Sequence, residues 1–197
     1  MCCCGRAGRQ KIASDPVSPP GKPCYHAVMT TRLFAAAALC LLFAGCSPKY
    51  NWRDYASPTA SYHVTFPAKP STVTRTIDLD GMQVSLTMTA AEVDGATFAV
   101  GSAEAPDAAR AQAALEAMQV ALVRNINATV THEKASASDE RATRDVDANG
   151  TDHGRPVRLV GHFESRGKQF YQVIVLGRPK ALPDEQVEQF LTSFKLP

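Results

Sequence analysis

The 151 residues that follow Cys46 in this 197-residue chain contain no cysteine. Internal disulfides therefore cannot hold the main domain, whose stability must come from a packed core. Charge is also scarce, because charged residues make up 20% of the chain and the formal net charge is +2. A balance this close to neutral does not favour a nucleic-acid partner. The 45% of hydrophobic residues suits one globular domain rather than a disordered chain.

The sequence patterns of common enzyme classes are missing as well. The chain has no H-E-x-x-H pair, no G-x-S-x-G elbow, no phosphate-binding loop and no dinucleotide fingerprint. The adjacent cysteines at 2–4 lack the spacing of a zinc site. We therefore predict no catalytic residues, no metal and no cofactor. An enzyme with an unrecognised site stays open as the alternative.

The segment 29–46 has the layout of a secretory signal. Arg32 gives a short positive start, and the 13 residues from Leu33 to Gly45 carry no charge. This run is too short to cross a bilayer, which needs about 20 apolar residues. Its length and its small-residue ending are typical of the apolar core of a signal peptide.

The end of this segment, Phe43-Ala44-Gly45-Cys46, resembles the lipobox of bacterial lipoproteins, with Phe43 in place of the usual Leu. The resemblance implies cleavage between Gly45 and Cys46 and a lipid on the Cys46 thiol. Each buried CH₂ of the acyl chains contributes about 0.8 kcal/mol to membrane attachment. Ser47 follows, where Asp would favour retention at the inner membrane, so we expect the outer membrane with the domain facing the periplasm. An uncleaved N-terminal membrane segment is the second alternative.

The chain thus divides into four predicted parts. Residues 1–28 precede Met29, where we expect translation to begin, and residues 29–45 form the signal. Residues 46–58 form a lipidated tether, and residues 59–197 form one globular domain. Cleavage before Cys46 would leave 16 basic and 18 acidic residues, a formal charge of −2. The basic balance of the whole chain comes from the part that is removed.

Alternating apolar and polar residues predict an antiparallel sheet. Asp-Gly pairs at 80–81 and 94–95 predict hairpin turns, because both central positions need positive φ. We also predict turns at Asn149-Gly150 and Arg166-Gly167, and a loop over 134–140. Val73, Ile77 and Leu79 are expected to share one strand face. The predicted strands are 62–66, 73–79, 82–89, one around Phe98 and Val100, 128–133, 142–147, 157–163 and a central 170–176.

Two amphipathic helices are predicted to flank this sheet. The first begins with Pro106 as its first helical residue, and its apolar stripe ends at Ile126. The second follows Pro183, and Phe190 belongs to its stripe. The hairpins and the two helices together predict an α+β domain. The stripes are Leu115, Met118, Leu122, Val123 and Ile126 in the first helix, and Val187, Phe190, Leu191 and Phe194 in the second.

Two short motifs carry a further resemblance. A tyrosine-bearing strand ends in the motif 66–70, Phe-Pro-Ala-Lys-Pro, and the motif 170–173, Phe-Tyr-Gln-Val, leads to 190–194, Phe-Leu-Thr-Ser-Phe. This pair resembles small bacterial lipoproteins of the PsbP-like superfamily over most of residues 59–196. The resemblance implies a twisted antiparallel sheet flanked by helices and an accessory or binding role. It brings no catalytic residues.

A cluster of basic residues is the candidate binding patch. Between Arg155 and Lys180 there are six basic residues and one acid, Glu164. On one face they could meet anionic lipid phosphates or an acidic envelope protein. The alternative is a solvated strand face that protects a sheet edge. The patch residues are Arg155, Arg158, Arg166, Lys168, Arg178 and Lys180.

Three aromatic residues lie close behind Cys46, at Tyr50, Trp52 and Tyr55. We expect them to cap one end of the core, because aromatic side chains bury large areas. The alternative is that they rest in the membrane interface, where amphipathic aromatics are enriched.

Overall fold

A computed structural model describes residues 49–197 of the chain. Strands β3 to β9 form one antiparallel sheet in the order β3-β4-β5-β9-β8-β7-β6, and β1 pairs with β2 separately. The fold is α+β, as predicted. The elements are β1 (Arg53–Ala56), β2 (His63–Phe66), β3 (Ser71–Leu79), β4 (Met82–Val93), β5 (Ala96–Glu104), α1 (Ala108–Asn125), β6 (Thr129–Ala137), β7 (Arg141–Asp152), β8 (Arg155–Arg166), β9 (Gln169–Gly177), a short 3-10 turn (Pro179–Ala181) and α2 (Asp184–Ser193).

The predicted Asp-Gly turns are confirmed. Asp80 and Gly81 have φ of 53° and 83°, and they join β3 to β4. Asp94 and Gly95 have φ of 55° and 75°, and they join β4 to β5. Both pairs therefore adopt the left-handed conformation that a tight hairpin requires.

The seven-stranded sheet has a core on each face. Helix α1 covers one face, where Leu115 and Met118 of its predicted stripe are buried. Helix α2 and the β1–β2 pair cover the other face, around Phe98 and Phe190. Strand β9 lies fourth of the seven strands and is buried on both faces, as its apolar sequence predicts.

The folded part of the chain begins earlier than the predicted domain start at 59. Arg53–Ala56 pairs with Phe66–His63, so the predicted tether contains a strand of 4 residues. Trp52 stacks on Tyr50 at 6.0 Å between ring centroids and meets Phe98 edge-on at 6.4 Å. Tyr55 meets Phe66 edge-on at 5.7 Å. These contacts stabilise the β1 segment on the sheet, and they agree with the expected cap on the core.

The start of the first helix and the segment 134–140 differ from the prediction. Helix α1 begins at Ala108, because the Asp107 side chain accepts a 2.8 Å hydrogen bond from the Arg110 N–H and is the N-cap, so Pro106 lies outside the helix. The predicted loop 134–140 is mostly strand, because β6 continues to Ala137. An edge strand exposed along its whole length needs no apolar alternation. Val73, Ile77 and Leu79 lie on one face of β3, as predicted, but only Ile77 and Leu79 reach the α1 core, so Val73 is 51% exposed.

The predicted turn at Asn149-Gly150 is wrong. Strand β7 runs through both residues, and the turn is formed by His153 and Gly154, with φ of 48° and 75°. Gly150 instead allows a close contact, because the chain that follows α1 passes directly against the Gly150 backbone. A Cβ atom on Gly150 would collide with the Ile126 carbonyl oxygen, which accepts a 2.7 Å hydrogen bond from the next N–H of β7.

We expect Gly150→Ala to destabilise the protein by about 1–3 kcal/mol, because the added methyl must push the Ile126 carbonyl away. Urea denaturation measures the free energy of unfolding. Asn149→Ala is the matched control, since Asn149 is exposed and precedes Gly150 in the same strand. The control should change stability by less than about 0.5 kcal/mol. Equal stability of the two variants would contradict the close crossing.

Candidate functional site

The predicted lipidation and cleavage residues, Cys46 and Gly45, lie outside the described residues. Lys49 is the first described residue, three positions after Cys46. Among residues 49–197, no helix is both long enough and apolar enough to span a bilayer.

The structure divides the six predicted patch residues between two ends of the sheet. Arg155 begins β8 and Arg166 ends it, which separates them by roughly 36 Å at about 3.3 Å per residue. Arg178 and Lys180 lie near the start of β8, because Pro156 lines a cavity with both of them. Lys168 lies in the β8–β9 turn, beside Arg166. The six basic residues therefore do not form one face.

Arg158 is occupied by two carboxylates. Its guanidinium nitrogens lie 2.6 Å from Asp147 of β7 and 2.6 Å from Asp184 at the start of α2. The hydrogen bonds that Arg158 donates to Asp147, and then those to Asp184, raise the pKa of Arg158 above its usual value. Arg158 thus joins the sheet to α2, and its charge is neutralised within the domain.

Lys49, Arg155, Arg178 and Lys180 form what we call the basic end of the domain. The Lys49 ammonium lies 2.7 Å from the Asp94 carboxylate in the β4–β5 turn. Arg178 lies against the same turn, since a Cβ atom added to Gly95 would be 3.6 Å from the Arg178 guanidinium. The hydrogen bond from Lys49 lowers the pKa of Asp94, and Arg178 contributes to the same shift.

A cavity of about 420 Å³ lies at the basic end. Apolar Pro156, Pro179 and Ala181 line it together with Arg178, Lys180 and Asp94, whose carboxylate is paired with Lys49. Within the described residues, neither Arg178 nor Lys180 forms an ion pair, and both are exposed. This end of the domain can therefore receive a ligand with negative charge.

A second concentration of charge lies on the α2 face of β7 and β8. His162 is held between two carboxylates, with Nδ1 2.6 Å from Asp145 and Nε2 3.5 Å from Glu164. The Glu164 side chain is only 7% exposed, and Arg141 donates to it at 2.9 Å. Arg166 adds a third contact at 3.4 Å. We call these five residues the His162 cluster.

Strand register assembles the His162 cluster. Asp145 of β7 lies directly opposite His162 of β8, and Arg141 lies opposite Arg166. Two residues along β8, Glu164 projects from the same face as His162. In the sequence, Glu164 stands out only as the single acid in the basic stretch. Charged residues at alternate positions of 141–147 and 158–164 were the available sequence signal for a charged cluster. Only the strand register shows that the two sets of side chains meet.

The His162 cluster lies at one side of a groove of about 450 Å³. The end of α2 and the chain after it form the other side, with Leu191, Phe194 and Leu196. Phe194 is 6.4 Å from His162 between ring centroids. Residues 49–197 contain no group of three His, Cys, Asp or Glu side chains placed to hold a metal ion. The groove thus offers apolar surface beside both signs of charge, which suits binding of a mixed polar and apolar partner.

Comparison with known proteins identifies no family. No family model and no curated protein matches the chain. Among solved structures, the chain is similar to PA94, a Pseudomonas aeruginosa protein of unknown function, with a TM-score of 0.33 and 14% identity. That match covers 70% of this chain and 90% of the other. The similarity is too distant to carry a function to this protein.

Proposed function

We propose that this protein is a bacterial envelope lipoprotein, anchored by a lipid on Cys46, whose domain has a non-catalytic accessory or binding role. The observation that carries the proposal is the charge-free run ending in Ala44-Gly45-Cys46. It is followed closely by a folded domain, because β1 begins at Arg53. A short distance between lipid and domain keeps the domain beside the membrane surface.

The arrangement of the His162 cluster supports binding rather than catalysis. Both ring nitrogens of His162 face carboxylates, and Glu164 faces two guanidinium groups as well as the imidazole. Groups held in this way stabilise one surface geometry, whereas a general base needs a free nitrogen directed at a substrate. The apolar side of the groove, near Phe194, adds the surface that a protein partner buries.

The proposal extends to fold family and location. We assign the domain to the PsbP-like superfamily, whose expected sheet flanked by helices agrees with the α+β architecture. Ser47 after the lipidated cysteine favours the outer membrane, with the domain facing the periplasm. An envelope protein or anionic lipid is the expected partner, and the near-neutral charge favours neither DNA nor RNA.

The mass of the N-terminal peptide from membrane-extracted protein tests the anchor. We expect the peptide to begin at Cys46 and to carry a diacylglycerol joined to sulfur. A peptide that begins at Met1 or Met29 with an unmodified thiol would overturn the proposal and support an uncleaved N-terminal segment.

Two serine variants make the test specific. Cys46→Ser removes the sulfur that receives the lipid, so we expect no diacylglycerol on its N-terminal peptide. Cys40→Ser is the matched control, because Cys40 lies in the segment that cleavage removes, and its N-terminal peptide should carry the same lipid as the unchanged protein. The same lipid addition on both variants would contradict lipidation at Cys46.

A further inference from the structure

The chain enters the domain at the basic end. Lys49 is paired with Asp94 in the β4–β5 turn, and that turn lies beside Arg178. Three residue steps separate Lys49 from Cys46, and an extended chain of this length spans at most about 11 Å. A lipid on Cys46 would therefore hold the Lys49 Cα within that distance of the Cα of the anchored residue.

The opposite end of the sheet lies much farther from this point. Gly177 of β9 pairs with Ala96 of β5 and Arg158 of β8, which aligns the start of β8 with the β4–β5 turn. Lys168 lies beyond the other end of β8, roughly 36 Å away along the strand. A tether of at most about 11 Å keeps the end of the domain with Lys49 near the membrane surface. The end with Lys168 then reaches the surface only if the domain lies flat.

Charge distinguishes the two ends further. Arg178 and Lys180 are exposed and form no ion pair with a described residue, and Arg155 is equally exposed. Among the neighbouring acids, Asp94 is paired with Lys49, Asp184 is paired with Arg158, and Asp152 lies opposite Arg155 in the strand register. At the other end, Lys168 also forms no ion pair with a described residue, but Glu164 and the Pro197 carbonyl oxygen engage Arg166. The basic end therefore has the stronger attraction for phosphate.

We propose that the basic end rests on the headgroup phosphates of anionic lipids in the membrane that holds the anchor. This inference depends on the proposed lipid at Cys46. Cations near an anionic surface gain attraction that falls off within a Debye length, so the contact needs the short tether to place them there. The cavity beside Pro156 and Pro179 lets a headgroup approach Arg178 and Lys180 together. The His162 groove, near the other end of β8, then points away from the lipid and stays open to a partner.

Matched cysteine variants at the two ends test this orientation. His153→Cys, in the turn before Arg155, and Lys168→Cys, in the β8–β9 turn, both replace an exposed residue that the proposed contact does not use, and a lipidated Cys46 has no free thiol to compete for the label. Each full-length variant is extracted from membranes, labelled with a fluorophore and reconstituted into vesicles of phosphatidylcholine with or without phosphatidylglycerol. A spin label on the lipid headgroup then quenches any nearby fluorophore.

We expect several-fold stronger quenching of H153C than of K168C in vesicles with phosphatidylglycerol. The difference should decrease without phosphatidylglycerol, in high salt, or when Arg178→Glu is added to H153C. Equal quenching of the two variants, or quenching independent of phosphatidylglycerol, would overturn the docking surface while leaving the anchor intact. Failure of the K168C protein to float with vesicles would overturn the anchor itself, and the docking surface with it.

Discussion

Replacing Phe190 with alanine should reduce the free energy of unfolding by about 3–5 kcal/mol. Phe190 is 0% exposed, and its ring lies 5.4 Å from both Phe66 and Phe98 between centroids. It is thus the side chain of α2 that joins the β1–β2 pair to the large sheet. Its removal leaves a cavity where three elements meet, and backbone strands on both sides limit the collapse that would fill it.

Thermal and urea unfolding of the purified protein measure this loss. A domain of this size loses about 2–4 °C in Tm per kcal/mol, so Phe190→Ala should lower Tm by roughly 10 °C. Gln189→Ala is the matched control, because Gln189 is the exposed neighbour on the same helix. It should change stability by less than about 0.5 kcal/mol. Similar behaviour of the two variants would mean that α2 does not pack on the sheet as described.

The elements that sequence predicted well are those whose signal is local. The Asp-Gly turns at 80–81 and 94–95 have a conformational requirement that few residue pairs meet. The stripe of α1 follows helical spacing, and the apolar run of β9 marks a strand buried on both faces. In each case neighbouring residues alone determine the structure, so no knowledge of the rest of the fold is needed.

The elements that sequence missed depend on contacts far along the chain. Asn149-Gly150 has the composition of a turn, but the chain after α1 crosses Gly150 and β7 continues through it. Strand β6 lacks an apolar face, because an edge strand exposed throughout gains nothing from one. Strand β1 is held by aromatic contacts with the sheet, such as that between Trp52 and Phe98, rather than by its own pattern.

For the candidate sites too, the sequence showed local features and missed those that depend on contacts far along the chain. Six basic residues between 155 and 180 were readable as a patch, but strand length carries Arg155 and Arg166 to opposite ends of β8. Two carboxylates far apart in sequence neutralise Arg158. The His162 cluster needs the register between β7 and β8, because Asp145 and His162 are separated by a complete hairpin. Composition therefore indicated the presence of charge and not its arrangement.

Glu164→Ala should destabilise the protein by about 2–3 kcal/mol, because it removes a buried carboxylate that three charged groups share. Its buried carboxylate accepts from Arg141 at 2.9 Å and approaches Arg166 and His162 at 3.4 and 3.5 Å. Without it, these groups lose their shared anion at the groove. Because Arg141 and Arg166 are about half exposed, water can replace part of the lost attraction, which limits the cost.

Urea denaturation of three variants separates charge from shape at this position. Glu164→Gln keeps an acceptor for Arg141 and should lose roughly half as much stability as Glu164→Ala. Glu92→Ala is the matched control on an exposed strand position and should lose less than about 0.5 kcal/mol. The difference between E164A and E92A should persist in high salt, since screening acts weakly on a buried carboxylate. If E164A were as stable as E92A, the Glu164 carboxylate would contribute nothing to the free energy of unfolding. That result would contradict the described contacts of Glu164 in the His162 cluster.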